Sequence, residues 1–179
     1  MIITKALSEE YPEVRLFYHS VIDAFQDAPY RPMWEKDIYP SPEELQSAIA
    51  EGTLFIGRID SNSTGGQRIA GAMVVNQKYN ESYHNAVWPT DLKKDEFMVI
   101  HMLGVHTDFA GRGFAGELVE YAIACARDAG MKAIRLDVLK GNLPANRLYE
   151  ALSFQYVDTV SMFYEDTGWT DFELYELTL

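Results

Sequence analysis

The sequence has a single cysteine, no apolar run long enough to span a bilayer and a deficit of basic residues, and each shortage closes off a class of function. Cys125 has no second cysteine to pair with, so no internal disulfide or cysteine-based zinc site is expected, and the residue reads as core packing in a reducing compartment. A membrane helix needs about 20 consecutive apolar residues. The opening Met1-Ile-Ile-Thr-Lys-Ala6 also lacks a basic region followed by an apolar stretch and a cleavage site, so a cytoplasmic location without a membrane partner is expected. Fifteen Lys and Arg stand against 27 Asp and Glu, a net charge of −12, and the resulting field repels nucleic acid and anionic lipid while mildly favouring cationic ligands. Nucleic acid is therefore not an expected partner.

What is present is ample material for a core. Hydrophobic residues make up 47% of the 179 and aromatics 13%, enough for one packed domain over residues 1–179. Residues 1–6 read as a strand, and Val14, Phe17, Tyr18, Val21 and Phe25 recur at helical spacing. Ser41-Pro42-Glu43-Glu44 combines a cap residue, a proline at the first helical position and a glutamate three residues after the cap, so it starts a second helix, which Gly52 ends. Residues 53–59 and 68–77 flank a glycine-rich polar loop and predict an antiparallel hairpin. From Lys78 to Glu96 the pattern is lost, and that aromatic segment reads as a connection or as a substrate lid. Strand 97–105, a helix through Ala115 to Ala126, strand 133–138, helix 142–152 and two final strands (154–164 and 169–177) complete the order. Only the unit from Phe97 to Val138 is a strand-helix-strand crossover, which predicts a mixed sheet with that pair parallel.

Gly111-Arg112-Gly113-Phe114-Ala115-Gly116 lies after a strand and opens a helix. Glycines there let the backbone approach a phosphate, and the free N–H groups of the helix start donate to it under a favourable dipole. The same letters match the dinucleotide fingerprint G-x-G-x-x-G, with Asp137 near the offset of a ribose-binding acid. Residues His106 to Ala110, however, intervene between strand and first glycine, and too little chain follows to build the remaining crossover sheet. No Gly-Lys-Ser/Thr follows, which excludes a phosphate loop of the nucleotide triphosphatase kind.

Two stretches resemble the GNAT superfamily of acetyl-CoA-dependent N-acetyltransferases. Met102-Leu-Gly-Val105-His-Thr-Asp-Phe-Ala-Gly-Arg-Gly-Phe-Ala-Gly-Glu-Leu118 is similar to that family's acetyl-CoA motif, a strand ending in Val followed by R/Q-x-x-G-x-G/A. Asn142-Leu-Pro-Ala145-Asn-Arg-Leu-Tyr149-Glu-Ala-Leu-Ser-Phe154 is similar to its downstream motif, N-x-x-A-x-x-x-Y-x-x-x-G-F. Two departures stand out: Ala110 replaces the usual Arg or Gln, and Ser153 replaces a glycine at a helix end that calls for a left-handed backbone. The resemblance implies an α+β (mixed α/β) fold, a central mixed sheet of about seven strands flanked by four helices and splayed between the cofactor strand and the next.

It also implies an acetyl-CoA site formed by Leu103, Gly104, Val105, Gly111, Arg112, Gly113, Phe114, Ala115, Gly116, Asn142, Ala145 and Asn146, with no metal. The cofactor's pantetheine arm is expected along the strand ending at Val105, where a backbone N–H stabilises the developing oxyanion. Tyr149 occupies the family's position for the acid that protonates the coenzyme A sulfur; a phenol with a reference pKa near ~10 is protonated at neutral pH, as that role demands. Val99 stands where histone-acetylating relatives carry a glutamate, so the base is open: His101, whose imidazole suits proton abstraction near neutrality, with Glu96 or a water chain as competitors. The acceptor, a primary amine of a small molecule or peptide, is expected among Tyr30, Trp34, Tyr39, His84, Trp88 and Tyr164. The alternative is an acyl-CoA-binding sensor that has lost turnover. The apolar C-terminal strand with Phe172, Leu174, Tyr175 and Leu177 would leave an edge to pair subunits, which points to a homodimer.

Overall fold

The computed structural model describes residues 1–26, 30, 33–60 and 66–179, and every statement of presence or absence below concerns these. Strand β1 (Ile2–Lys5) runs through a 3-10 turn into helix α1 (Tyr11–Phe25). Val14, Phe17, Tyr18, Val21 and Ile22 of α1 are buried, the apolar stripe of a helix lying on a sheet. Helix α2 (Pro42–Ala50) begins as its sequence predicts: the Glu44 N–H donates to Ser41 Oγ at 3.2 Å and the Ser41 N–H to the Glu44 carboxylate at 2.9 Å. Gly52, at φ +66°, turns the chain into β2 (Leu54–Asp60), which pairs antiparallel with β3 (Gln67–Asn76). Most of the predicted loop between them, residues 61–65, lies outside the described residues.

Residues 78–96 hold two short 3-10 turns and lead to β4 (Phe97–Val105), α3 (Phe114–Asp128), β5 (Ala133–Leu139), α4 (Leu143–Ala151), β6 (Gln155–Tyr164) and β7 (Gly168–Thr178). Ser153, just past α4, adopts φ +68°, so the position keeps the left-handed backbone although its residue is not glycine. The sheet order is β1-β2-β3-β4-β5-β7-β6, antiparallel except between β4 and β5. Strand β7 thus lies inside the sheet, between β5 and β6, instead of at its edge. A second sheet joining on that side would meet β6, from which Tyr156 and Phe163 project exposed.

Alternation divides the core between the two faces. Leu54, Ile56, Ala72 and Val74 pack under α1 and α2, whereas Phe55, Met73, Val75, Ile134, Leu136 and Val138 pack under α3. A third cluster joins Tyr83 of the 78–96 segment to Phe97, Val99, Met162, Phe172 and Leu174. One buried ion pair fastens this region. Arg135 Nε donates to Glu176 Oε2 at 2.7 Å, with the two side chains 5% and 1% exposed. The guanidinium lies 4.1 Å from the ring centroids of both Trp88 and Phe97, and the Thr90 hydroxyl donates to the same Glu176 oxygen at 2.8 Å. No helix among the described residues is long and apolar enough to cross a membrane.

Removing half of a buried pair strands the other charge, whereas replacing both members with apolar groups removes the desolvation cost together with the attraction. Arg135→Met is expected to lower the unfolding free energy by about 3–5 kcal/mol, and adding Glu176→Leu to restore most of the loss. Urea denaturation of the two single variants and the double variant checks this.

Candidate active site

The site begins where a ladder stops. Parallel pairing of β4 with β5 runs from Phe97 and Ala133 to Val99 and Arg135 and goes no further, although β4 continues to Val105 and β5 to Leu139. On its other side β4 carries a bulge against β3. Val74 pairs with His101 and Ala72 with Gly104, so Met73 faces both Met102 and Leu103. Met102 takes φ +54°, and its carbonyl accepts a 2.9 Å hydrogen bond from the buried Tyr18 hydroxyl of α1. The bulge turns β4 away from β5, and the splay predicted between these strands is present.

Two cavities meet in the gap. One is a groove of about 520 Å3 whose walls include Leu103, Gly104, Val105, Gly111, Gly113, Phe114, Ala115 and Gly116, closed on the other side by Asn142, Ala145 and Tyr149 of the α4 region. Gly111 and Gly113 sit at φ +74° and +82°, left-handed conformations that side chains rarely adopt. No side chain caps α3, so the N–H groups of its first turn, which no helix can satisfy internally, face the groove. Arg112 is exposed beside it, its guanidinium 5.5 Å from the Phe109 ring; Arg68 of β3 approaches the same ring at 5.4 Å. Arg68 was not singled out by the sequence, because nothing in β3 marks a cation that folds back over the loop after β4.

The second cavity, about 120 Å3, lies in the splay between β4 and β5 and is bounded by His101, Asp137, Tyr149, Tyr164 and Asp166 among others. Trp34, Leu103, Asn142, Ala145 and Tyr149 line both spaces. Tyr149 is 6% exposed, its ring edge-on to Phe154, and its hydroxyl has no hydrogen-bond partner among the described residues. Burial raises its pKa, with Asp137 adding to the effect, so the phenol holds its proton. His101 Nε2 is 2.9 Å from the Lys78 carbonyl oxygen. A carbonyl only accepts, so Nε2 carries the proton and Nδ1 is left as an acceptor. Burial holds the His101 pKa below the ordinary histidine value, against an opposing pull from Asp137.

Asp137, on the facing strand, accepts from the Tyr83 hydroxyl at 2.7 Å and the Tyr164 hydroxyl at 3.1 Å. Burial raises its pKa, and the Tyr83 hydroxyl and His101 oppose the rise. The sequence offered Asp137 only to a dinucleotide reading; its other signal is a carboxylate between Leu136 and Val138 in an apolar strand.

The remaining predicted residues divide. Asn142 caps α4, its Oδ1 accepting from the Ala145 N–H at 3.4 Å, and it also lines both cavities. Asn146 donates to Glu173 Oε2 at 2.6 Å and borders neither cavity. Tyr30 borders the groove, and Trp34 begins an aromatic wall that runs edge-on to Tyr39 and tilted from Tyr39 to Tyr164, with centroids 6.1 and 5.8 Å apart. His84 and Trp88 lie elsewhere, on a separate 420 Å3 cavity beside Arg135; His84 contacts the Tyr79 ring, and the Trp88 indole N–H donates to the Tyr83 carbonyl at 2.9 Å. Glu96 is at the far end of β4, paired with Lys132. The described residues contain no group of three or more His, Cys, Asp or Glu placed to hold a metal ion.

No match is found among curated proteins. Solved structures do match over nearly the whole chain. A GNAT-family acetyltransferase of Streptococcus agalactiae superposes with a TM-score of 0.80 at 18% identity, covering 99% of this chain and 95% of its own. Arabidopsis thaliana NAA60 in complex with acetyl-CoA gives a TM-score of 0.70 at 17% identity, covering 99% and 98%. Salmonella typhimurium yncA, solved with its cofactor acetyl-CoA, gives 0.65 at 16% identity, covering 100% and 94%. At these identities the likeness is one of fold. The sequence profile of the acetyltransferase (GNAT) family matches residues 15–154, a span holding the splayed strands, the glycine loop and Tyr149, and the chain belongs to that family.

Proposed function

We propose that residues 1–179 form one cytoplasmic acetyltransferase domain that moves the acetyl group of acetyl-CoA to a primary amine of a small molecule or peptide by direct attack. Membership of the family makes the chain an acyltransferase with acetyl-CoA as donor. The observation that carries the finer reading is Tyr149: a protonated phenol with a free hydroxyl, at the junction of a glycine-lined groove and the cavity that His101 and Asp137 line.

The residues fit the donor. The uncapped start of α3, with Gly113 and the N–H groups of Phe114, Ala115 and Gly116, accepts a pyrophosphate, and the absent side chain at Ala110 removes none of these donors. Leu103, Gly104 and Val105, beyond the last β4–β5 ladder pair, present backbone groups to an amide-bearing arm, and Asn142 and Ala145 close the opposite wall. Acetyl-CoA bound there supplies an activated acetyl thioester. His101 Nδ1 takes a proton from the acceptor nitrogen, and the Tyr149 hydroxyl gives one to the departing sulfur. Tyr39, Tyr164 and Trp34 shield the cavity and hold the amine against the gap.

Calorimetric titration is expected to show acetyl-CoA binding without NAD or ATP binding, and a panel of primary amines to release free thiol. Acetyl-CoA binding without release on any amine would instead support a sensor, and failure to bind would sink the reading. Tyr149→Phe is expected to lower kcat by about 100-fold or more while leaving acetyl-CoA affinity unchanged, the size of a lost general acid.

As a base His101 must be neutral, so kcat/KM rises with pH through its pKa. Because burial lowers that pKa, the acidic limb is expected below the ordinary histidine range and activity to be on its plateau at neutrality. His101→Gln should abolish this limb, and a profile unchanged by the substitution would remove His101 as the base.

A further inference from the structure

The cavity in the splay carries two carboxyl groups and no basic side chain among its described lining residues other than the His101 imidazole. Asp137 forms the wall opposite His101, and Asp166, in the turn between β6 and β7, lines the same space. Neither carboxylate has a Lys, Arg or His within ion-pair distance among the described residues, and none of the described lining residues is Lys or Arg. Asp166 Oδ1 is buried without a hydrogen-bond partner. Burial, and then the nearby Glu35 and Glu44, push its carboxyl up to about 6, partly opposed by backbone N–H groups. Asp137 accepts two phenolic hydrogen bonds, which fix its orientation and leave lone pairs of a carboxylate open toward the cavity. Beyond Tyr39, His101, Met102 and Tyr164 the space continues into a groove of about 450 Å3 bordered by Glu43 and Glu44, where Lys78 is already paired with Glu51.

An enclosed carboxylate without a cation is costly, and here the cost is met by what enters. We infer that the acceptor is an aliphatic primary amine that arrives as its ammonium ion and carries no carboxylate, that Asp137 seats the ammonium, and that Asp166 excludes anionic groups from the same cavity. This rests on the acetyl-transfer reading above and selects among its amines. Tyr39, Tyr164 and Trp34 line the same space, and aromatic rings there add attraction for a cation seated over their faces. The seated ammonium gives one proton to His101 Nδ1 across the splay, and the imidazole passes it to solvent. The neutral nitrogen then bonds to the acetyl carbon as the bond to sulfur breaks. The Tyr149 hydroxyl protonates the departing sulfur, and the second proton shed by the nitrogen restores the Tyr149 phenol. A free amino acid brings the same amine with a carboxylate that would find no cationic side chain here and two anionic ones. Two carboxyl groups facing an incoming carboxylate discriminate by repulsion as much as Asp137 does by attraction.

The test compares tyramine, phenethylamine and cadaverine with tyrosine, phenylalanine and lysine, pairs that differ by one carboxylate. At saturating acetyl-CoA each amine is expected to exceed its amino acid by about 100-fold or more in kcat/KM. Asp137→Asn, which keeps acceptor and donor atoms for the two tyrosines, should raise the KM for the amines at least about tenfold with little change in kcat and none in the KM for acetyl-CoA. Calorimetric binding of tyramine to the coenzyme A-loaded protein should weaken in parallel. Asp137→Glu, which retains the charge, should keep the preference for amines, and the melting temperature of each variant separates loss of fold from loss of binding. Equal or better use of the amino acids, an unchanged KM in Asp137→Asn, or no amine bound or used by a protein that binds acetyl-CoA would each overturn the inference and leave the donor assignment standing. Failure to bind acetyl-CoA would overturn the underlying reading itself.

Discussion

The structure depends on one interrupted ladder. Parallel strands joined through a helix ordinarily pair along their length, yet β4 and β5 exchange backbone hydrogen bonds only as far as Val99 and Arg135. At the closed end the Arg135–Glu176 pair and the two rings over its guanidinium hold the strands and the 78–96 segment together. At the open end the bulge at Met102 turns β4, and the Tyr18 hydroxyl satisfies a carbonyl that the bulge takes out of the ladder. Beyond it, backbone groups of Leu103 to Val105 border a groove where a sheet neighbour would otherwise be. Unpaired backbone groups need partners, and a long, amide-bearing cofactor arm is a partner of the right kind.

The same gap sets the electrostatics. It brings His101 of β4 and Asp137 of β5 to opposite walls of one cavity, where burial disfavours the charged form of each: the imidazole pKa falls and the carboxyl pKa rises. Their mutual attraction works against both shifts. A cation seated on Asp137 would remove that opposition at His101, since the carboxylate's charge would be spent on the ligand. The histidine would then be more firmly neutral with its acceptor present than without it. As the proposed acid, Tyr149 would need the reverse condition, a proton held until sulfur departs, and its enclosed position between Phe154, Tyr175 and the cavity favours the protonated phenol.

Much of this architecture was legible in the sequence. The α2 start was readable from Ser41-Pro42-Glu43-Glu44 because a capping box is a local arrangement, and β2 to β5 followed from apolar runs and glycine punctuation. The place of β7 was not. Its apolar residues Phe172, Leu174 and Tyr175 read as an edge in need of a partner, but they are buried because β7 inserts between β5 and β6, and chain order carries no record of such an insertion. The bulge was equally silent: Met102 is an ordinary strand residue by composition, and its positive φ arises from a register that β3 imposes.

Within the site, legibility follows the kind of contact. The glycine-lined groove is built largely from backbone groups of consecutive residues, Leu103 to Val105 and Gly111 to Gly116, so its donors are written as a spacing and do not depend on a side chain at Ala110. The cavity in the splay is built from side chains at positions 34, 39, 101, 137, 149, 164 and 166, drawn from β4, β5, α4, β6 and two loops. No interval between these residues means anything along the chain. Aromatic content alone misleads there, because Trp88 and Trp34 are indistinguishable as letters, yet one lies over a buried guanidinium and the other beside the splay. Asp137 differs: a carboxylate set into an apolar strand has to be compensated by something, and the two phenols that hold it leave the remainder of that compensation to whatever occupies the cavity.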